Sequence, residues 1–323
     1  MLPPALGGAA PLIDVHAHFQ TPHTNRADWK TYNNARLTAG ARIGVRAHVA
    51  SVLGSWGFTS PTYFASPADQ TQANRWMLDF AAQEPAVFAY VAVNPNFTAH
   101  ALQEIEAGME QGAIGIKLAA GRRADDALLD DVAAAAAHYR VPILQHVWQH
   151  RRRDWPNQDA SDALDLVRIA RRHPSVTFLL AHIGGGGDWS HTFPAVRDVP
   201  NVVMDLSGSG IDRGMMDEAL RYVGAERLLW AADLTLCTGL TKLRALDHVG
   251  ASVSDIEAMR WRNAQRIFPP ACSMRWWPLG VRHDHDSVVR CAGPFAHRCL
   301  GVDRRVSLSR DPASRAGHSR EGA

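Results

Sequence analysis

Eight short apolar runs punctuate the chain: Leu12 to Phe19 (LIDVHAHF), Val45 to Leu53, Val87 to Val93, Ala113 to Leu118, Val141 to Val147, Val176 to His182, Val202 to Leu206 and Leu228 to Asp233. Each has strand length and is predominantly apolar, as expected of a parallel strand covered on both faces. Helical patterns separate them. Asp69 to Gln83 carries Ala73, Trp76, Met77 and Phe80 at spacings of three and four. Thr98 to Glu110, Asp125 to Tyr139, Asp162 to Arg172, Met215 to Val223 and Ser254 to Phe268 continue the series. The acidic first turn at Asp125 suits a helix dipole, and His173-Pro174 is a stop signal. Strands alternating with helices predict a parallel α/β fold. Eight such units, with no G-x-G-x-x-G turn after the first strand, favour a single (β/α)₈ TIM barrel over an open dinucleotide-binding sheet.

The repeat stops at Phe268. The pattern therefore predicts a short extension over residues 1–11, a barrel over 12–268, and an irregular, largely disordered tail over 269–323. The tail holds Cys272, Cys291 and Cys299 and many arginines but no lysine. A reading-frame change past the true end of the domain is one account of it. A length of 323 residues matches one barrel of about 250 residues plus an extension.

Composition narrows the function classes. A net charge of +2 gives no reason to expect nucleic acid or an anionic membrane as partner. The four cysteines form no C-x-x-C pair, which argues against a cysteine zinc site or a thioredoxin-like motif. Such sparse cysteine suits a cytoplasmic location. The N-terminus lacks the basic region and long apolar stretch of a secretory signal, and no run approaches the ~18 apolar residues of a membrane span. The expected partner is a small-molecule substrate, with a homo-oligomer left open.

The candidate chemistry lies at the ends of the apolar runs. His16 and His18 are two apart on the first strand, so both can face one side, with Ile13, Val15 and Ala17 expected to pack outward. Two imidazoles on one face can bind one metal ion. A lone H-x-H is as often ordinary surface or core histidine. Lys117 stands near the end of the fourth run, His146 ends the fifth, His182 the sixth and Asp233 the eighth. Barrel active sites are built at these C-terminal strand ends. Polar groups closing five apolar strands at one rim would each carry a desolvation cost, so their shared placement points to function.

This arrangement resembles the amidohydrolase superfamily, most closely its amidohydrolase-related branch of metal-dependent hydrolases and decarboxylases. LIDVHAHF, GIKLAAG, VPILQHVW, FLLAHIGGG, LLWAADL and RNAQRIF carry the resemblance, over about Leu12 to Phe268. It implies that His16, His18, His146 and Asp233 ligate a divalent metal, and that His182 orients the attacking water or binds a second ion. Lys117 matches a lysine that bridges two metals when carboxylated in binuclear members and is not a ligand in many mononuclear ones. The family's usual G-[ST]-D-x-P turn is Ala231-Ala232-Asp233-Leu234-Thr235 in this chain.

The expected cofactor is one divalent metal ion, or two, with zinc best matched to the histidine-rich set. Asp233 and His182 would be catalytic, in hydrolysis of a small amide, lactone or ester by a metal-activated water. Decarboxylation of an unsaturated or aromatic acid on the same scaffold is the alternative, and a catalytically silent binding barrel a further one. Trp148 and Arg122 are candidate substrate-binding residues, although an arginine-rich chain supplies many merely solvated guanidiniums, among them Arg151 to Arg153. Gly184 to Gly187 would let backbone approach closely after His182.

Overall fold

The computed structural model describes residues 11–24, 26–52, 60, 63–148, 159–183, 189–208 and 214–269. The expected N-terminal extension (but for its last residue), Arg151 to Arg153, Gly184 to Gly187 and nearly all of the tail lie outside them. Eight parallel strands follow one another in the order of the chain: β1 (Leu12–His18), β2 (Val45–Ser51), β3 (Val87–Val93), β4 (Gly115–Leu118), β5 (Ile143–Gln145), β6 (Phe178–Leu180), β7 (Val202–Asp205) and β8 (Leu228–Leu229). The ring closes where Val15 N–H donates to Trp230 O at 3.2 Å and Asp233 N–H to His16 O at 2.7 Å. The fold is a TIM barrel.

Helices α1 (Trp29–Ile43), α2 (Pro67–Gln83), α3 (Thr98–Glu110), α4 (Asp130–Tyr139), α5 (Ala163–Arg172), α6 (Trp189–Val196), α7 (Met215–Val223) and α8 (Leu236–Ala245) alternate with the strands. The pattern Ser254 to Phe268, expected as one helix, becomes α9 (Val253–Glu257), a π-helical turn (Ala258–Arg262) and α10 (Asn263–Ile267). The wider turn brings Met259 O within 2.8 Å of Trp230 N–H, so the helix accepts a bond from the strand end. Among the described residues no helix is long and apolar enough to cross a membrane.

Two apolar layers hold the barrel. Outer strand residues such as Ile116, Leu118, Ile143 and Phe178 pack with Met77, Ile105, Leu166 and Ile169 of the helices. Inner ones such as Val49, Leu144, Leu179, Val203 and Leu229 form a second cluster, joined by Ala264 and Phe268. Ile13 and Val15 belong to this inner cluster rather than packing outward as strict alternation predicts. The cause is a bulge in β1: Asp14 pairs with His48 and Ala17 with Ala50, so one strand advances three residues while the other advances two. The extra residue resets the phase, and His16 and His18 both reach the mouth above the inner apolar layer.

Asp14, fully buried, anchors that bulge. Its carboxylate accepts from Arg36 Nη2, His48 Nδ1 and Ala232 N–H, each at 2.9 Å. Burial alone would raise its pKa, but the His48 hydrogen bond and the Arg36 charge outweigh that and hold it below the ordinary carboxylate value. Because the folded pKa is depressed, this contribution to stability is present at neutral pH and lost as the pH falls through it. Asp14→Asn strands the buried Arg36 charge at a cost of roughly 3–5 kcal/mol. A melting temperature lower by about 10 °C at neutral pH is expected, with the gap to wild type closing as the pH falls below the ordinary carboxylate range. Thermal melts across that range check this, and a gap independent of pH would overturn it.

Candidate metal centre

The mouth of the barrel gathers His16 and His18 from β1, Lys117 from β4, Asp205 from β7, and His146, His182 and Asp233 from the residues just past β5, β6 and β8. Three of these four histidines are held by Nδ1. His16 Nδ1–H donates to Asp205 Oδ2 at 2.8 Å, His18 Nδ1–H to Ser51 O at 2.9 Å, and His182 Nδ1–H to Val147 O at 2.8 Å. The acceptors are carboxylate or carbonyl oxygens, so Nδ1 carries the proton in all three rings and Nε2 is left toward the centre.

Those Nε2 atoms converge on Asp233. Asp233 Oδ1 lies 3.3 Å from His18 Nε2 and 3.6 Å from His16 Nε2, and Oδ2 lies 3.4 Å from His182 Nε2. His16 and His18 Nε2 are 3.1 Å apart, and Lys117 Nζ stands 3.1 Å from His16 Nε2. One ligand atom each of His16, His182 and Asp233 lie within 4.8 Å of one another. The three imidazoles are buried, whereas the Asp233 side chain keeps 22% exposure at the open face.

Burial and the Lys117 charge push the His16 pKa down to about 4, so this ring is neutral at working pH. Burial likewise lowers Lys117 to about 8, against the pull of Asp233 and Asp205. Burial, reinforced by His182 and Lys117, holds His146 neutral as well. For Asp233 burial opposes ionisation, but the surrounding His16, His18 and His182 rings outweigh it, and the carboxyl stays ionised. The same contact raises His182 despite its burial.

His146 Nε2 is buried and has no hydrogen-bond partner, and its ring meets that of His182 edge-on at 4.7 Å. An orphaned buried nitrogen carries a real desolvation cost. Neutral imidazoles with unprotonated Nε2 atoms crowded against an ionised carboxylate repel one another unless a proton or a cation lies between them. This donor set fits a divalent metal ion.

Backbone strain marks the same place. Among the described residues three non-glycine residues have positive φ: Arg140, which caps α4, and His182 (65°) and Asp233 (57°). A left-handed backbone costs an ordinary residue roughly 1–3 kcal/mol and persists where its surroundings over-determine it. Gly208, with φ of 90°, seats against His182: a Cβ there would lie 2.9 Å from His182 Cβ.

Trp148 lies parallel to the His146 ring at 5.8 Å and meets His182 edge-on at 5.8 Å. Arg122 is turned elsewhere, its guanidinium bonded to Asn96 and paired with Asp126. Asp205, Ser207 and Tyr63 were not singled out in the sequence. Asp205 and Ser207 follow Val202 to Met204, so a polar pair closing the seventh apolar run was the available signal. Asp205 Oδ1 accepts from His182 N–H at 2.9 Å, Ser207 N–H at 2.9 Å and Ser207 Oγ at 2.5 Å. Burial opposes its ionisation, but His16 prevails and the pKa falls to about 2. Tyr63 meets the His146 ring at 5.2 Å, and burial with the Asp233 charge raises its pKa, keeping the phenol protonated.

A parallel barrel that gathers metal-donor side chains at its C-terminal mouth has the layout in which barrel enzymes build their active sites. The model of the Amidohydrolase family matches residues 13–269, and the chain belongs to that family. Among curated protein sequences none matches. Solved structures share the fold. The 5-carboxyvanillate decarboxylase of Sphingomonas paucimobilis is 17% identical, with a TM-score of 0.59 over 80% of this chain and 99% of that one. A 2,6-dihydroxybenzoate decarboxylase from Rhizobium is 15% identical, at a TM-score of 0.60 over 80% and 98%. A dihydroxybenzoic acid decarboxylase from Polaromonas sp. JS666, with bound manganese and the inhibitor 2-nitroresorcinol, is 17% identical, at 0.60 over 80% and 97%.

Asp205→Asn replaces the acceptor that fixes the His16 tautomer. The expected result is a 10–100-fold weaker hold on a divalent metal in a folded barrel. Competition with a chromophoric chelator measures this, and unchanged affinity would show that Asp205 does not position His16.

Proposed function

We propose that the chain is a metal-dependent hydrolase of a small amide, lactone or ester. The observation that carries this reading is the convergence of His16, His18 and His182 Nε2 on the ionised Asp233 at 3.3–3.6 Å. His16, His18, His146 and Asp233 would hold one ion, with zinc favoured by the nitrogen-rich set. A divalent cation bound there supplies Lewis acidity, bringing water close to ionisation at neutral pH and polarising a carbonyl.

The protein's own groups supply the rest. Asp233, ionised and partly exposed, accepts a proton from water entering the mouth. His182, 3.4 Å from Asp233 Oδ2, receives that proton at Nε2 and returns it to the leaving group. Its Nδ1–H bond to Val147 O keeps the ring aimed as the charge changes. Lys117 Nζ places a positive charge beside the site of oxyanion formation. The apolar layer below, with Val15, Leu144 and Leu179, keeps bulk water to the open side.

Decarboxylation is the second reading. It is favoured by three structures of like fold that are named as decarboxylases of aromatic acids.

Elemental analysis of the purified chain should find about one divalent ion, lost in His16→Ala and retained in Lys117→Ala. Asp233→Asn should lower hydrolysis by roughly 10²–10⁴-fold. Carbon dioxide release from a carboxylic-acid panel, with no hydrolysis of amides, lactones or esters, would replace the first reading with the second. A chain without metal after growth in zinc or manganese would overturn both.

A further inference from the structure

Tyr90 stands in the middle of β3 and belongs to the inner apolar cluster with Ile13, Val49, Leu144, Leu179 and Val203. It is 1% exposed. A phenylalanine would fill that space without bringing a hydroxyl into an apolar layer, where an unpaired one is costly. The hydroxyl has a partner on β1: it donates to Val15 O at 2.7 Å, reaching past β2. Burial, helped by the Asp205 and Asp14 charges, raises its pKa well above the ordinary tyrosine value, so it stays a donor. Room for the ring comes from β4. Gly115 pairs with Tyr90, and a Cβ there would lie 2.6 Å from Tyr90 Cε1.

The acceptor is the carbonyl just before His16. It lies inside the β1 bulge, where the register with β2 jumps from Asp14–His48 to Ala17–Ala50. A bulge interrupts the ladder, so its peptides depend on other partners. The Val15 carbonyl and the His16 N–H belong to one peptide group. Tyr90 holds its oxygen at 2.7 Å, and Asp14 Oδ1 faces its N–H at 3.4 Å. On one side Val15 N–H donates to Trp230 O at 3.2 Å, and on the other His16 O accepts from Asp233 N–H at 2.7 Å. The tilt of this peptide sets the direction of the His16 side chain and the path of the strand to His18. Spacing of two residues puts both imidazoles on one side, but bringing their Nε2 atoms to 3.1 Å needs a fixed backbone between them.

We propose that Tyr90 is a positioning residue for the His16–His18 pair: its hydroxyl, given room by Gly115, holds the Val15–His16 peptide in the plane that turns both imidazoles toward Asp233. The proposal rests on the metal-centre reading and goes beyond it by assigning the geometry of the pair to a residue of β3.

The test compares Tyr90→Phe with the wild-type full chain, using cobalt(II) as the probe. Competition with a chromophoric chelator should show roughly tenfold weaker cobalt binding, and the visible cobalt bands should shift with the altered ligand geometry. Gly115→Ala, which crowds the ring, should weaken binding in the same way. The double variant should lose no more than the larger single loss, because both act through one hydroxyl. If Tyr90→Phe does not fold, Gly115→Ala carries the test. A tyrosine that only fills the core would give Tyr90→Phe a lower melting temperature with cobalt affinity and spectrum unchanged, and that result overturns the proposal. If the wild type binds no cobalt, the metal reading fails separately. Tyr90 is then judged on the metal-free chain by the imidazole nitrogen resonances. Those of His16 and His18 should move in Tyr90→Phe while those of His100 on α3 stay, and unmoved His16 and His18 resonances overturn the proposal.

Discussion

His16 reaches across the barrel mouth from β1 to Asp205 on β7, and the 2.8 Å contact fixes which of its nitrogens faces the centre. Reversing that tautomer would turn an N–H toward the Lys117 ammonium, 3.1 Å away, where two donors would meet. The same carboxylate accepts the backbone N–H of His182 at 2.9 Å. One buried anion thus decides the protonation of one imidazole and the backbone position of another. It explains how His182 tolerates a positive φ: the N–H is held by Asp205, the ring by Val147, and Gly208 leaves room for Cβ. The strain is offset by contacts that exist only when β5, β6 and β7 are in register.

Much of the barrel was legible because parallel strands buried on both faces are apolar runs, and all eight runs contain strands. The helices that escaped notice share a physical cause. The buried face of α1 is Asn33, Arg36 and Gly40, and that of α8 is Gly239 and Lys242, so neither shows an apolar stripe. α6 is short and carries Pro194 inside it. A pattern of hydrophobic spacing is blind to a helix whose inner face is polar and hydrogen-bonded. The β1 bulge was hidden for a similar reason, since alternation assumes an unbroken pleat.

The site was legible in part. His16, His18, Lys117, His182 and Asp233 meet because strand ends share one rim whatever their distance in sequence, and that topology was inferable. Asp205 and Tyr63 were missed: Asp205 was absorbed into the run Val202 to Leu206, where only its pairing with Ser207 marked it, and a lone tyrosine carries no spacing signal. Arg122 illustrates the converse error. A guanidinium near a site attracts a substrate role, yet Asn96 and Asp126 already engage it. Charge near a mouth selects candidates; the hydrogen bonds left over determine which of them can serve a ligand.

The turn after β8 ties these strands of argument together. The family's usual proline two residues after the aspartate is Thr235 here, so no ring stiffens the backbone. Hydrogen bonds hold the turn instead. Leu234 O accepts from Tyr32 Oη at 2.7 Å and Arg36 Nη1 at 2.9 Å, Ala232 N–H donates to Asp14, and Thr238 Oγ1 donates to Ala232 O at 3.1 Å. Arg36 therefore serves both the bulge that presents His16 and His18 and the turn that presents Asp233. The polar inner face that concealed α1 from hydrophobic periodicity is the clamp that sets His16 and His18 of β1 against Asp233 beyond β8. A leucine or valine stripe in its place would bury as much surface but could hold neither carboxylate nor carbonyl.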